Sequence, residues 1–310
     1  MGHVVILDPS IPGAGASSAP NAGDEIIAAA VLREVRSIFP TGEVVRFTTH
    51  SQPSGQDISE MASADHIIVG GSNLLGNVVR SRRVPTRTWR QWDMSAGQAR
   101  VIERAVLLGV GWRVYEGRIS WSTRRLYRAA LAEHAVHSVR DGYTALKVNE
   151  LGVGSAINTG CPTLWPFVNR PAEWIPEHRS TSVLTTVTDY RRYPEMDKAL
   201  LELLFRMYDH VFFWPQGEGD AEYVRELGAR VSAISPGVPS LDAFLDSTDC
   251  DYVGTRLHGG IHCLNARKRS LVISVDNRAA ELGPETGVPT VVRGDLTSVQ
   301  QWIESPSATQ

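Results

Sequence analysis

The run Asp251-Tyr252-Val253-Gly254-Thr255-Arg256-Leu257-His258-Gly259-Gly260-Ile261-His262 and its sequel Leu271-Val272-Ile273-Ser274-Val275-Asp276 constrain the fold more than any other stretch. A short apolar run passes through Gly254 into a helix that opens near Arg256, Leu257 and His258. The second run is almost continuously apolar and β-branched, the character of a parallel strand buried on both faces. The segment therefore reads β-loop-α-β, with its loop at the carboxyl edge of a sheet, where open α/β sheets bind ligands. A strand-to-helix junction aims backbone N–H groups and the positive end of the helix dipole at one point, which suits an anion. Arg256 adds a permanently charged fork, and His258 adds a group that exchanges a proton near neutral pH.

The same alternation runs through the rest of the chain. His3–Asp8 reads as a strand, followed by a Pro, Gly, Ala and Ser-rich loop to Pro20 and then Asn21-Ala22-Gly23-Asp24. Ile26, Ile27, Ala30, Val31, Val35 and Ile38 recur at helical spacing. Asn21 or Asp24 fits a simple helix cap, or the loop shapes a ligand pocket. A strand at Val44–Thr48, a polar loop and a strand at His66–Val69 lead into Gly70-Gly71-Ser72-Asn73, a glycine pair that permits close backbone approach. Five arginines between Arg80 and Arg90, with Trp89 and Trp92 interleaved, suit a sugar face with an acidic group, or else a solvated loop. A helix is expected over Ser95–Leu108, a strand over Val110–Tyr115 and a helix over Trp121–His134. Arg140 and Asp141 close a strand at Ala135–Val139. There Arg140 either reaches into a cleft or forms a surface pair with Asp141.

Pro162, Pro166, Pro171 and Pro176 mark a break in periodicity, after which the alternation restarts. This gives an N-terminal α/β domain over 1–165, a Pro-rich linker over 166–180 and a C-terminal α/β domain over 181–310. The class is α/β, two Rossmann-like doubly wound domains with a cleft between them. A length of 310 residues fits two domains. A net charge of −3 implies no general affinity for nucleic acid or membrane. Three cysteines, odd in number and far apart, point to reduced thiols in a cytoplasmic protein. No transmembrane segment or signal peptide is read. His258 and His262 share a helix face but lack a third ligand in sequence, so no metal or other cofactor is expected. Homo-oligomerisation is left open.

Asn21-Ala22-Gly23-Asp24, Gly70-Gly71-Ser72, Val139-Arg140-Asp141 and Arg256-Leu257-His258, in this order and spacing, resemble the polysaccharide pyruvyltransferase family over about residues 20 to 290. The resemblance implies a two-domain fold like that of the GT-B glycosyltransferases. It also implies transfer of the enolpyruvyl unit of phosphoenolpyruvate onto sugar hydroxyls as a pyruvate ketal, with the acceptor on the N-terminal side and phosphoenolpyruvate on the C-terminal side. By that resemblance His258, Arg256 and Arg140 are catalytic, and Leu257, Asn21, Gly23, Asp24, Gly70, Gly71 and Ser72 bind substrate. The chain departs from the family pattern at Ser72, at Lys268-Arg269-Ser270 and around Val275 and Asn277-Arg278, beside the donor site. Two other readings fit the same residues: a nucleotide-sugar-dependent GT-B glycosyltransferase, and a noncatalytic sugar- or phosphate-binding protein.

Overall fold

The computed structural model describes residues 2–13, 21–77, 79–80, 88–89, 92–93 and 95–305. The Pro, Gly, Ala and Ser-rich loop at 14–20 and the middle of the arginine and tryptophan stretch, 81–87 and 90–91, lie outside the described residues. The chain divides into two compact units. One comprises Met1–Pro20 and Ile27–Pro162, the other Asn21–Ile26 and Thr163–Gln310.

In chain order the first part of the fold runs β1 (His3–Asp8), α1 (Ala22–Ile38), β2 (Glu43–Thr48), α2 (Gly55–Ser63) and β3 (His66–Gly70). It continues with a two-stranded antiparallel pair, β4 (Val79–Arg80) and β5 (Thr88–Trp89), then α3 (Ala96–Val101), β6 (Val106–Leu108) and α4 (Trp121–Ala130). β7 (Val136–Val139), α5 (Gly142–Leu151) and β8 (Ser155–Asn158) complete it. The sheet order is β2-β1-β3-β6, all parallel. Bonds from Gly109 N–H to the Ser138 carbonyl and from Arg140 N–H to the Val110 carbonyl, each 3.0 Å, bring β7 alongside, and β7 pairs with β8 in parallel. The strand order reverses between β1 and β3, so their carboxyl ends flank a topological switch point. Val4, Val5, Ile6 and Leu7 are all buried, as a central parallel strand requires.

Several local expectations change. Val110–Tyr115, expected as a strand, makes only isolated bridges at Val110 and Trp112, and the helix opening at Trp121 ends at Ala130 rather than His134. The helix starting after Ser95 ends at Val101 rather than continuing to Leu108, and Val106–Leu108 is a strand paired with β3. Its apolar run fits either state locally, and the sheet position decides. The segment before β3, read as a polar loop, contains α2, opened by a capping box in which Ser54 and Asp57 satisfy each other's backbone N–H groups.

The second unit contains β9 (Ser182–Thr185), α6 (Pro194–Met207), β10 (His210–Phe213), α7 (Asp220–Glu226), β11 (Ser232–Ala233) and α8 (Val238–Ser247). It closes with β12 (Asp251–Gly254), α9 (Leu257–Asn265), β13 (Ser270–Ser274), α10 (Asn277–Thr286), β14 (Thr290–Val292) and α11 (Leu296–Glu304). The order β11-β10-β9-β12-β13-β14, parallel throughout, is the doubly wound Rossmann order. Its switch point lies between β9 and β12, which places the residues after Thr185 beside those after Gly254.

Cys161, Cys250 and Cys263 are all buried. Burial pushes the Cys250 thiol up to about 12 and drives Cys263 well above its ordinary value.

Candidate functional site

The junction between β12 and α9 is held by a chain of hydroxyls. The Tyr252 hydroxyl donates to the Arg256 carbonyl at 2.7 Å, so the 2.6 Å bond between Tyr252 and Thr186 takes its proton from Thr186. Thr186 Oγ1 in turn accepts from the Arg256 N–H at 3.2 Å. Burial raises the Tyr252 phenol, keeping it a neutral donor at physiological pH. Both backbone polar groups of Arg256 are thereby fixed, and α9 starts at a defined place above the sheet. The first-turn N–H groups of α9 have no partner within the helix, which leaves its N-terminus suited to an anion. Leu257 and His258, the first two residues of α9, are buried, His258 to 3% exposure.

The Arg256 side chain is also buried and lies between two carboxylates. Nε bonds Asp220 Oδ2 at 3.0 Å, and the guanidinium also meets Asp220 Oδ1 and, at 3.0 Å, Asp189 Oδ1. Asp220 is fully buried and further receives the N–H groups of Gly217 at 2.8 Å and Asp189 at 3.1 Å. Burial pushes the Asp220 carboxyl up, while Arg256 and these N–H groups pull against it. A Cβ on Gly217 would lie 2.4 Å from the guanidinium, so only glycine admits the arginine here. Tyr190 lies across it, with the guanidinium carbon 4.9 Å from the ring centre.

Two further elements of the second unit reach this edge. Asn21 Oδ1 accepts from Gly23 N–H at 3.0 Å and from Gln216 Nε2 at 3.1 Å, and the Ala22 N–H donates to the Gln216 carbonyl at 3.2 Å. Asn21 and Gly23 thus join the loop after β10. Gln216 Oε1 is buried and has no hydrogen-bond partner among the described residues. After β13, Asp276 caps α10, and its carboxylate grips Arg278 through Nε at 3.0 and 3.1 Å. Arg278 also reaches the Tyr190 hydroxyl. Burial works against its charge, but Tyr190, Asp276 and Asp24 outweigh it and hold the guanidinium more firmly charged than usual. His262, a turn beyond His258, pairs instead with Asp242 at 2.6 Å.

In the first unit, Gly70 and Gly71 face α1. Gly71 has φ +66°, and a Cβ there would sit 2.2 Å from Ile27 Cγ2; at Gly70 it would meet Val31 at 2.9 Å. The close approach that the glycine pair permits is made by a helix. Ser72 is buried with φ 58°. Arg140 is 1% exposed, bonded through Nε and Nη2 to Asp141 Oδ2 at 3.1 and 2.9 Å and through Nη1 to Asn73 Oδ1 at 2.6 Å. Asp141 also caps α5 through Thr144. The Arg140 and Asp141 pair is therefore interior rather than superficial, and it ties α5 to the loop after β3.

The second unit thus collects Asn21, Gly23, Asp24, Arg256, Leu257 and His258 at one sheet edge, while Gly70, Gly71, Ser72 and Arg140 converge in the first. Sequence reasoning did not single out Asp189, Tyr190, Gln216 or Asp220. Each follows a strand end of the second sheet, which is the signal that would have found them.

No curated protein matches the chain. Among solved structures it is similar to MnaA of S. aureus with UDP, at 12% identity and TM-score 0.56 over 100% of this chain and 92% of that one. It is also similar to the UDP-GlcNAc 2-epimerase of Methanocaldococcus jannaschii in complex with UDP-GlcNAc and UDP, at 10% identity and TM-score 0.51 over 98% and 93%. At such identities the likeness speaks for the fold, the GT-B-like α/β class expected from the sequence. The pattern of the polysaccharide pyruvyl transferase family matches residues 21–277, opening at Asn21 and closing at Asn277, the first residue of α10. Over that span, most of its length, the chain belongs to the polysaccharide pyruvyl transferase family.

Proposed function

We propose that the protein transfers the three-carbon unit of phosphoenolpyruvate to a pair of hydroxyls on a sugar-containing acceptor, a glycan, glycolipid or glycosylated metabolite, forming a pyruvate ketal and releasing phosphate. The observation that carries this reading is the convergence, at the switch point of the second sheet, of His258, the α9 N-terminus and Arg256, all inside the span that defines the family, with Arg278 one residue beyond it. Phosphoenolpyruvate presents a phosphate and a carboxylate on a small frame, and a helix N-terminus with two guanidinium groups matches that pair of anions.

In the reaction His258 delivers a proton to the methylene carbon, which becomes the methyl group. The adjacent carbon accepts one sugar oxygen, whose proton restores His258, the bond from that carbon to the phosphate oxygen breaks with its electrons, and the second sugar oxygen closes the ring as its proton passes to the departing phosphate. Arg256 stabilises the departing phosphate by exchanging Asp189, its more exposed partner, for a phosphate oxygen. Asp220 keeps the guanidinium in place during that exchange. Arg140 acts at one remove, holding the Asn73 loop that we assign to the acceptor side with Gly70, Gly71 and Ser72.

Phosphate release from phosphoenolpyruvate tests the reading, measured with wild type and His258→Ala across a panel of sugar acceptors that includes nucleotide- and lipid-linked ones. Acceptor-dependent release that the substitution abolishes is the expected result. Absence of release with every acceptor, together with phosphoenolpyruvate binding that Arg256→Ala leaves unchanged, would overturn it. A second reading, transfer from a nucleoside diphosphate sugar, draws on the UDP held by both similar structures. Turnover of a UDP-sugar in place of phosphoenolpyruvate would establish it.

A further inference from the structure

Away from the strand ends discussed above, α3 and α4 enclose a hollow of about 360 Å³ lined by Ala96, Arg100, Trp121, Arg124, Arg125 and Arg128, with Ala129 at its edge. Its size falls in the range of small-molecule sites. Trp121, Arg125 and Arg128 recur at helical spacing along one face of α4, and Arg100 joins them from the last turn of α3. Trp121 is 72% exposed, and the Arg125 guanidinium lies 5.4 Å from its ring centre. Among the described residues, Arg124 alone of the four arginines forms an ion pair, with Glu150 at 3.8 Å. α4 contains no acidic residue, and Arg125 and Arg128, like Arg124 and Arg128, repel each other at the spacings where opposite charges would attract. An anion seated between them relieves that repulsion.

We propose that this hollow binds an acidic saccharide, its carboxylate or phosphate on Arg100, Arg125 and Arg128 and a sugar face on Trp121. Arginine forks match both acidic groups, and an exposed indole offers a flat apolar surface to a pyranose ring. A saccharide fits better than a membrane surface because Trp121 is the one large exposed apolar side chain of α4, and interfacial helices carry a whole apolar face. The site is independent of the transfer reaction and needs no phosphoenolpyruvate.

The test is calorimetric titration of the full-length protein, without phosphoenolpyruvate, using a hyaluronan tetrasaccharide as acidic probe and maltotetraose as neutral control. Wild type binds the acidic probe, weakens as salt is raised and binds the neutral one at least about tenfold less tightly. Arg125→Glu/Arg128→Glu, at exposed positions and with an unchanged melting temperature, lowers affinity for the acidic probe by at least about tenfold. Trp121→Phe supplies a second variant that keeps the charge and weakens binding less. Equal binding of the acidic probe by the double variant, or equal binding of both tetrasaccharides, overturns the proposal. So does arginine-dependent sedimentation with phosphatidylglycerol vesicles in the absence of tetrasaccharide binding, which makes the patch a membrane contact.

Discussion

Asn in place of Asp220 preserves the shape of the side chain and removes its charge. Asp220 accepts from Arg256 through both oxygens and from the N–H groups of Gly217 and Asp189. An amide keeps one acceptor oxygen and turns an NH₂ toward these donors, so at least one donor loses its bond. Arg256, 4% exposed, would then rely on Asp189, which is 29% exposed and holds it by a single contact of 3.0 Å. Removing one partner of a buried pair costs about 3–5 kcal/mol, because the remaining charge is left uncompensated. Asp189→Asn removes the weaker and wetter contact, and about 1 kcal/mol is expected. Because the chain has two compact units, the loss should be read where it occurs. Denaturant unfolding with peptide-resolved hydrogen exchange over residues 182–190 and 251–258 does this. The double variant Asp220→Asn/Arg256→Gln should lose less than the sum of the single losses, by about 2 kcal/mol. Equal losses for Asp220→Asn and Asp189→Asn, or additive behaviour in the double variant, would refute the account of Arg256 as a group clamped chiefly by Asp220.

Three other predictions concern the first unit. His137 is fully buried, with Nδ1 accepting from the Leu107 N–H at 3.3 Å and Nε2 facing the Ala132 carbonyl at 3.1 Å, and burial lowers its pKa below 6.5. The unfolded chain then takes up the proton first as pH falls, so stability is full above about pH 6.5 and declines as pH drops toward the folded value, by about 1.4 kcal/mol per unit of depression. Melting curves at pH 7.5, 6.5 and 5.5 should show this decline flattened in His137→Gln; an identical slope in the variant rejects it. Gly71→Ala should cost about 2 kcal/mol or more, from the left-handed backbone and the collision with Ile27. At Gly55 nothing lies within 4 Å of an added Cβ, and alanine there should be neutral or stabilising by up to about 1 kcal/mol, as urea midpoints would report.

The strands of both sheets were legible where the sequence is almost continuously apolar, as in Val4–Leu7 and Leu271–Ile273, because central parallel strands leave no polar face to blur the pattern. Val106–Leu108 was not, since three apolar residues carry no period and their state is settled by pairing with β3. The junction at Arg256, Leu257 and His258 stood out because glycine, cation and imidazole fall within a few residues. Asp189, Tyr190 and Asp220 did not, being ordinary loop or helix-start residues until the strand order brings them to Arg256. The sequence pattern also could not reveal that Arg140 spends its donors on Asp141 and Asn73, because nothing in the one-dimensional order links residues 73 and 140.

The three cysteines have a practical consequence. A thiol reacts through its thiolate and only where reagent can reach it. Cys161, Cys250 and Cys263 are all at most 1% exposed, and burial keeps the last two protonated. The native chain therefore behaves toward maleimides as though it had no cysteine. A single cysteine introduced at an exposed position, Ser122 on α4 or Ala280 on α10, can carry a fluorophore or spin label with the native thiols left in place.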